Sequence, residues 1–258
     1  MRYSWFTLAS LLVVSAASGQ SPPSPQMPPA AFDPVNNRLD QLLLRWEREM
    51  TAVQSLDVRL TRVTNDKVFG AREIMDGSAK YKRPNLALLY LSNRNNPQVY
   101  EKFLCTGNFV YQFDPQAKTV HVKELPKPKA GQMADDNLLS FMFGMKAEEA
   151  KRRYDLQIEK EDQYYVYLRV LPRFPIDKAD FSWARLVLNR QTFLPRQLYF
   201  MQANGNDITW DIPQIVNGAR LNPADFTPPS LPAGWTMKKA PPETISGDVP
   251  PRVVRPKP

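Results

Sequence analysis

Any chemistry in this chain would have to be done by very few groups. His121 is the sole histidine and Cys105 the sole cysteine. A histidine-assisted nucleophile would have to use His121, and no Gly-x-Ser-x-Gly elbow stands elsewhere to meet it. The flanking Val120 and Val122 alternate with it, which turns the imidazole towards the outer face of a strand. Glu161-Asp162, Glu148-Glu149 and Asp135-Asp136 are acid pairs, but adjacent ones, of the kind that solubilise turns and helix starts. Catalytic carboxylates instead project from separate elements into one cleft. No set of residues has metal-ligand spacing, and no glycine-rich phosphate loop is present. The expectation is therefore a protein that is not an enzyme and uses no cofactor. The remaining distinctive group is Arg83, placed before Pro84 and the apolar run Leu86-Ala87-Leu88-Leu89-Tyr90-Leu91. A cation at the lip of a greasy strand suits binding.

Pro84 cannot donate to a sheet ladder, so it belongs at an edge, a bulge or a strand start, with Arg83 extended before it. Upstream, Asp33 can cap a helix with Pro34 at its first position, and Val35, Leu39, Leu42, Trp46, Met50 and Val53 recur at spacings of three and four. Leu56, Val58 and Leu60 then alternate with Asp57, Arg59 and Thr61, the pattern of a strand buried on one face. Strands are expected over residues 68–75, 77–82, 86–92, 98–105, 108–113 and 118–124, with turns at Asp76-Gly77, Thr106-Gly107 and Asp114-Pro115. Asp135-Asp136-Asn137 can cap a helix over residues 138–145, apolar nearly all round, followed by a charged helix over 146–153. Such an apolar helix is either a lid contacting variable apolar partners through Met and Phe or a buried connection. Strands resume over 154–160, 164–171, 182–189, 196–201 and 208–212, with hairpins at Glu161-Asp162 and Asn204-Gly205-Asn206. Val166, Leu168, Val170, Ala184, Leu186, Leu188, Leu198 and Phe200 would line one wide apolar face.

The outer limits fit an exported protein. Arg2 precedes an apolar run over residues 5–14 and the small residues Ser15-Ala16-Ala17-Ser18-Gly19, which reads as a cleavable signal over 1–19 and is too short to span a bilayer. Residues 20–31 read as a Pro-rich linker, 32–237 as one domain, and 238–258 as a Pro-rich basic tail carrying Arg252, Arg255 and Lys257. With no partner, Cys105 is expected to be a small buried hydrophobe. The net charge of +8 is spread along the chain, and export removes nucleic acid as its partner. An anionic lipid surface is a better match, with a solubilising tail as the plainer reading.

The Lys82-Arg83-Pro84-Asn85-Leu86 segment resembles that of the LolA family of periplasmic lipoprotein carriers. Asn108-Phe109-Val110-Tyr111-Gln112-Phe113-Asp114-Pro115, the Ser140-Phe141-Met142 helix and Gly218-Ala219-Arg220-Leu221-Asn222-Pro223-Ala224-Asp225-Phe226 match further family segments in order, so the resemblance covers residues 36–235. It departs at Ala87, where the family carries an aromatic. The resemblance implies a mainly β fold with α-helices: an incomplete antiparallel β-barrel with an N-terminal helix, its concave face closed by short lid helices. It further implies an exported or periplasmic carrier or binding protein that shields acyl chains of lipoproteins or lipids. The alternative is an envelope interaction or sensor module with a closed core. The expected cavity and lid residues are Val58, Leu60, Leu86, Leu88, Tyr90, Phe103, Leu138, Phe141, Met142, Met145, Leu186, Leu198 and Phe200. Arg83 is implied as a clasp holding the lid; on residue physics alone it is equally an edge cation that discourages aggregation. The expected partners are acyl chains, envelope membrane proteins or anionic lipid surfaces, bound by a monomer.

Overall fold

The first helix, α1 (Arg38–Ala52), starts later than Asp33 and Pro34 suggest. The Asp33 carboxylate is used up by an isolated turn, accepting from the backbone N–H groups of Val35 and Asn36 at 3.1 Å each. Asn37 is left as the cap, its side chain accepting from the N–H of Asp40. Val35 is consequently exposed, off the stripe, while Leu42, Leu43, Trp46 and Met50 are buried along it. The computed structural model describes residues 31–125 and 146–239. The expected signal, most of the linker, the helix over 138–145 and the tail from residue 240 lie outside the described residues.

Two long strands follow, β1 (Ser55–Asp66) and β2 (Ala71–Lys82), paired antiparallel along their whole length. The expected break at Asp76-Gly77 does not occur. The turn sits instead over residues 67–70, where Gly70 takes the positive φ (64°) that an L side chain resists. Gly77 serves a different purpose inside β2: a Cβ there would overlap the Tyr90 carbonyl oxygen of the next strand. Glycine in mid-strand marks this close backbone approach rather than a turn.

The chain continues through β3 (Leu86–Asn93), β4 (Tyr100–Thr106), β5 (Phe109–Asp114) and β6 (Thr119–Glu124). After the connection come α2 (Ala147–Arg153), β7 (Tyr154–Glu161) and β8 (Tyr165–Pro172), then α3 (Pro175–Asp180), which the sequence pattern does not suggest. β9 (Trp183–Asn189), β10 (Pro195–Met201) and β11 (Asp207–Asn217) complete the meander. β11 runs five residues past its expected end. It pairs with β1, and Pro213 falls at the register shift opposite Leu60, where a missing N–H is tolerated. A 3-10 turn, Pro223–Phe226, is capped by Asn222 and leads to β12 (Thr236–Lys239), which lies parallel beside β6. β12 takes in Lys238 and Lys239, the first two residues expected in the tail.

Among the described residues these strands form one sheet ordered β12-β6-β5-β4-β3-β2-β1-β11-β10-β9-β8-β7. All pairs are antiparallel except β12 with β6, so the sheet is mixed. It does not close on itself, and the fold is an open, mainly β half-barrel with helices. No described helix is long and apolar enough to cross a membrane.

Candidate functional site

Strand parity divides the sheet into two faces, because successive side chains point to opposite sides. One face carries α1 and α2. Here Leu56, Val58 and Leu60 of β1, Leu91 of β3, Val166, Leu168 and Val170 of β8, Ala184, Leu186 and Leu188 of β9 and Leu198 of β10 form one buried cluster with Leu42, Leu43, Trp46 and Met50. Phe200 is half-buried against it. Polar clamps fix the helices in place. Lys151 of α2 donates to Asp40 of α1 at 2.7 Å with both side chains buried, and the Ala147 N–H donates to Glu47 at 2.8 Å. Arg153 forks onto Asp177 of α3, closest at 2.6 Å.

The other face has its own cluster, built from Leu104, Tyr111, Val120, Val122 and Phe226, with Leu86, Leu88, Phe109, Phe113 and Trp235 packed against it. Its cover is the irregular, Pro-rich strap over residues 221–235, pinned where Lys80 meets Asp225 at 2.7 Å. The expected cavity residues are therefore not brought together. Val58, Leu60, Leu186 and Leu198 lie in the core beneath α1. Leu86 and Leu88 lie on the opposite face under the strap, and Tyr90 shares that face, 38% exposed. The six-residue apolar run of β3 hid this split, because a run apolar at every position carries no parity signal. Leu138, Phe141, Met142 and Met145 lie outside the described residues.

Phe103 marks what remains. The register sets it across from Leu89, and Cys105 across from Ala87 and Val110. All five point to the α1 face. Ala87, Phe103, Cys105 and Val110 are half-buried and, among the described residues, belong to neither packed cluster. They continue the apolar face of the core onto β3–β5, past the strands that α1 covers. Gln112 and His121 follow in the next two strands, so the apolar strip ends at a polar margin. Sequence reasoning named Phe103 alone; Ala87 and Val110 could have been found by counting parity outward from Leu60 through Gly77 and Leu91.

Arg83 closes the near end of the strip. Its peptide bond to Pro84 is cis, its N–H donates to the Gln54 carbonyl at 2.9 Å, and its Nε donates to the Val53 carbonyl at 2.7 Å. Val53 is the C-cap of α1, so the guanidinium satisfies an orphan carbonyl of that helix. The Cys105 thiol donates to the Asn85 carbonyl at 2.8 Å, and burial pushes its pKa up, away from thiolate reactivity. His121 is exposed between the buried Val120 and Val122. Among the described residues no cluster of three or more His, Cys, Asp or Glu could hold a metal ion.

No family model matches the chain, and no curated protein matches it. Several solved structures do resemble it at low identity. A LolA superfamily protein from Nitrosomonas europaea shares 13% identity over 73% of this chain and 97% of that one, with a TM-score of 0.32. An uncharacterized conserved protein from Thermus thermophilus shares 9% over 78% and 98%, with a TM-score of 0.49. The complex structure of Pseudomonas aeruginosa MucA/MucB gives 15% identity over 72% of this chain and 60% of that one, with a TM-score of 0.42.

Proposed function

We propose that the chain is an exported carrier or binding protein that holds acyl chains of lipids or lipoproteins on the α1 face of β3–β5. The observation that carries this reading is the strip Ala87, Leu89, Phe103, Cys105 and Val110: an apolar continuation of the core face whose outer members, among the described residues, join neither packed cluster. Each methylene laid on such a surface contributes roughly 0.8 kcal/mol. Arg83 is a clasp at the rim, fixing the end of α1 beside the strip. The first nineteen residues act as the export signal, and the half-barrel works as a monomer.

A second reading, an envelope interaction module with a closed core, is favoured by Leu168, Leu186 and Leu198, which are almost completely buried in the cluster that α1 joins. One measurement separates the two. Mature protein is extracted with organic solvent for mass spectrometry and titrated with a fluorescent fatty acid. The carrier reading expects copurified lipid and saturable uptake, weakened roughly tenfold by Phe103→Asp, about the cost of placing a carboxylate against two or three methylenes. Leu186→Ala is expected to lower stability and leave uptake in place. Absent lipid together with absent uptake supports the closed module.

A further inference from the structure

The face opposite the strip carries a feature that acyl-chain binding does not use. Pairing in four successive ladders places Arg59 beside Ser78, Ser78 beside Tyr90, Tyr90 beside Lys102 and Lys102 beside Phe113. These five side chains form one straight row across β1 to β5. Two hollows, of about 420 and 510 Å³, lie along it and meet at Tyr90. The first ends at Pro213; the second is walled by Trp235 and the prolines of the strap. The floor is aromatic: Tyr90 and Tyr100 rings are 5.8 Å apart, and Phe113 and Trp235 rings 6.2 Å apart.

Charge selects the occupant. Lys80 and Arg94, which border the groove, are already held by Asp225 and Asp76 at 2.7 Å each. Arg59 is exposed, Lys102 lies over the Phe113 ring, 4.6 Å from its centroid, and among the described residues neither has an ion pair. Among the described residues, the two acids lining the groove, Asp76 and Asp225, are thus neutralised, while its cations Arg59 and Lys102 are not. Three strand intervals separate those cations, about 14 Å at the usual inter-strand spacing. Four residues of extended or polyproline II chain cover about 13 Å. Aromatic floors with proline-compatible walls are how extended peptides are held without a sheet edge. A saccharide would ask for many free planar hydrogen-bonding groups, and here Asp76 and Asp225 are occupied.

We infer that this groove binds an extended acidic peptide, with two carboxylates four residues apart seated on Arg59 and Lys102 and apolar or proline residues between them over Tyr90. The site is separate from the acyl strip and does not depend on it.

The test is fluorescence anisotropy of the full mature protein with labelled Glu-Ala-Pro-Pro-Glu, against Gln-Ala-Pro-Pro-Gln and a galacturonate hexamer. The Glu peptide is expected to bind, with affinity falling as salt rises. Arg59→Glu and Lys102→Glu each weaken it about fivefold, and the pair together by tenfold or more. Both positions lie at the sheet surface, and circular dichroism checks that the variants fold. Fatty-acid uptake stays at the wild-type level in both. No binding of the Glu peptide, equal binding of the Gln peptide, indifference to both charge reversals, or binding of the galacturonate alone each overturns the proposal.

Discussion

The two buried clusters lie on opposite faces of one sheet and are closed in different ways. The larger is covered by α1, whose stripe of Leu42, Leu43, Trp46 and Met50 meets strands from both halves of the sheet. The smaller is covered by a strap with a single deeply buried anchor, Phe226, and the half-buried Leu221, Leu231 and Trp235. A helix brings its own hydrogen bonds, so it can press a continuous apolar stripe into the core without leaving polar groups unpaired. A proline-rich strap has fewer donors to satisfy and can cross a sheet face as an irregular chain, though it buries less. The first arrangement gives stability; the second leaves grooves at its borders. That contrast explains why the groove along Arg59, Tyr90 and Lys102 borders the strap rather than the helix.

The sharpest way to break this comparison is to delete one anchor from each cover. Leu43→Ala removes a side chain with no exposed surface and is expected to cost about 3–5 kcal/mol in urea denaturation, with the slope unchanged. Phe226→Ala is expected to cost about 3 kcal/mol, because its half-buried neighbours can relax into the space. The location of the effect is more telling than its size. Hydrogen exchange in the Phe226→Ala protein should quicken in β4–β6 and stay slow in β8–β10. Uniform quickening would mean that the two clusters open as one unit.

A second measurement sharpens the helical side. Asp40→Asn leaves the Lys151 ammonium buried without its counter-charge and is expected to cost about 3 kcal/mol. Adding Lys151→Met should recover part of the loss, since an apolar side chain of similar length suits the site better than a stranded cation. No recovery would mean that Lys151 is held chiefly through the Ala31 carbonyl, to which it also donates at 3.0 Å.

The β-rich architecture was legible from alternation, as in Leu56-Val58-Leu60 and Val166-Leu168-Val170, where buried residues alternate with more accessible ones, while its openness was implied by the LolA resemblance. The charged helix before β7 and the hairpins at Glu161-Asp162 and Asn204-Gly205 were legible from turn and cap residues. The failures have physical causes. Asp76-Gly77 has turn composition, but tertiary pairing runs β2 straight through it, because only glycine admits the Tyr90 carbonyl. The run Leu86-Ala87-Leu88-Leu89-Tyr90-Leu91 serves two cores at once, so it could not say which side faced a cavity. The strap and β12 were unreadable because their contacts are long-range and their residues, mostly proline and small polar groups, lack periodicity. Arg83 was read as a clasp on the lid helix, which lies outside the described residues; its described partner is the Val53 carbonyl at the end of α1, a contact that depends on tertiary placement.

A solvent-exposed ion pair between α1 and the sheet offers the finest adjustment of the comparison. Arg38 in the first turn of α1 forks onto Glu161 at the end of β7, at 2.7 and 3.1 Å. The guanidinium hydrogen bond holds the Glu161 carboxyl below its ordinary range, partly opposed by desolvation, and the carboxylate raises Arg38 in turn. Because the folded-state pKa of Glu161 is depressed, the pair's contribution is complete above the ordinary glutamate value of about 4.3 and fades as pH falls below it towards the lower folded value. Arg38 is half-exposed, so solvent screening keeps the contribution well under 1 kcal/mol. Arg38→Ala should therefore lower stability slightly at pH 7 and converge with wild type in acid. It should leave hydrogen exchange in β4–β6 unchanged, because the strap-covered cluster does not share this contact. A pH-independent loss would assign the effect to helix packing instead of the ion pair.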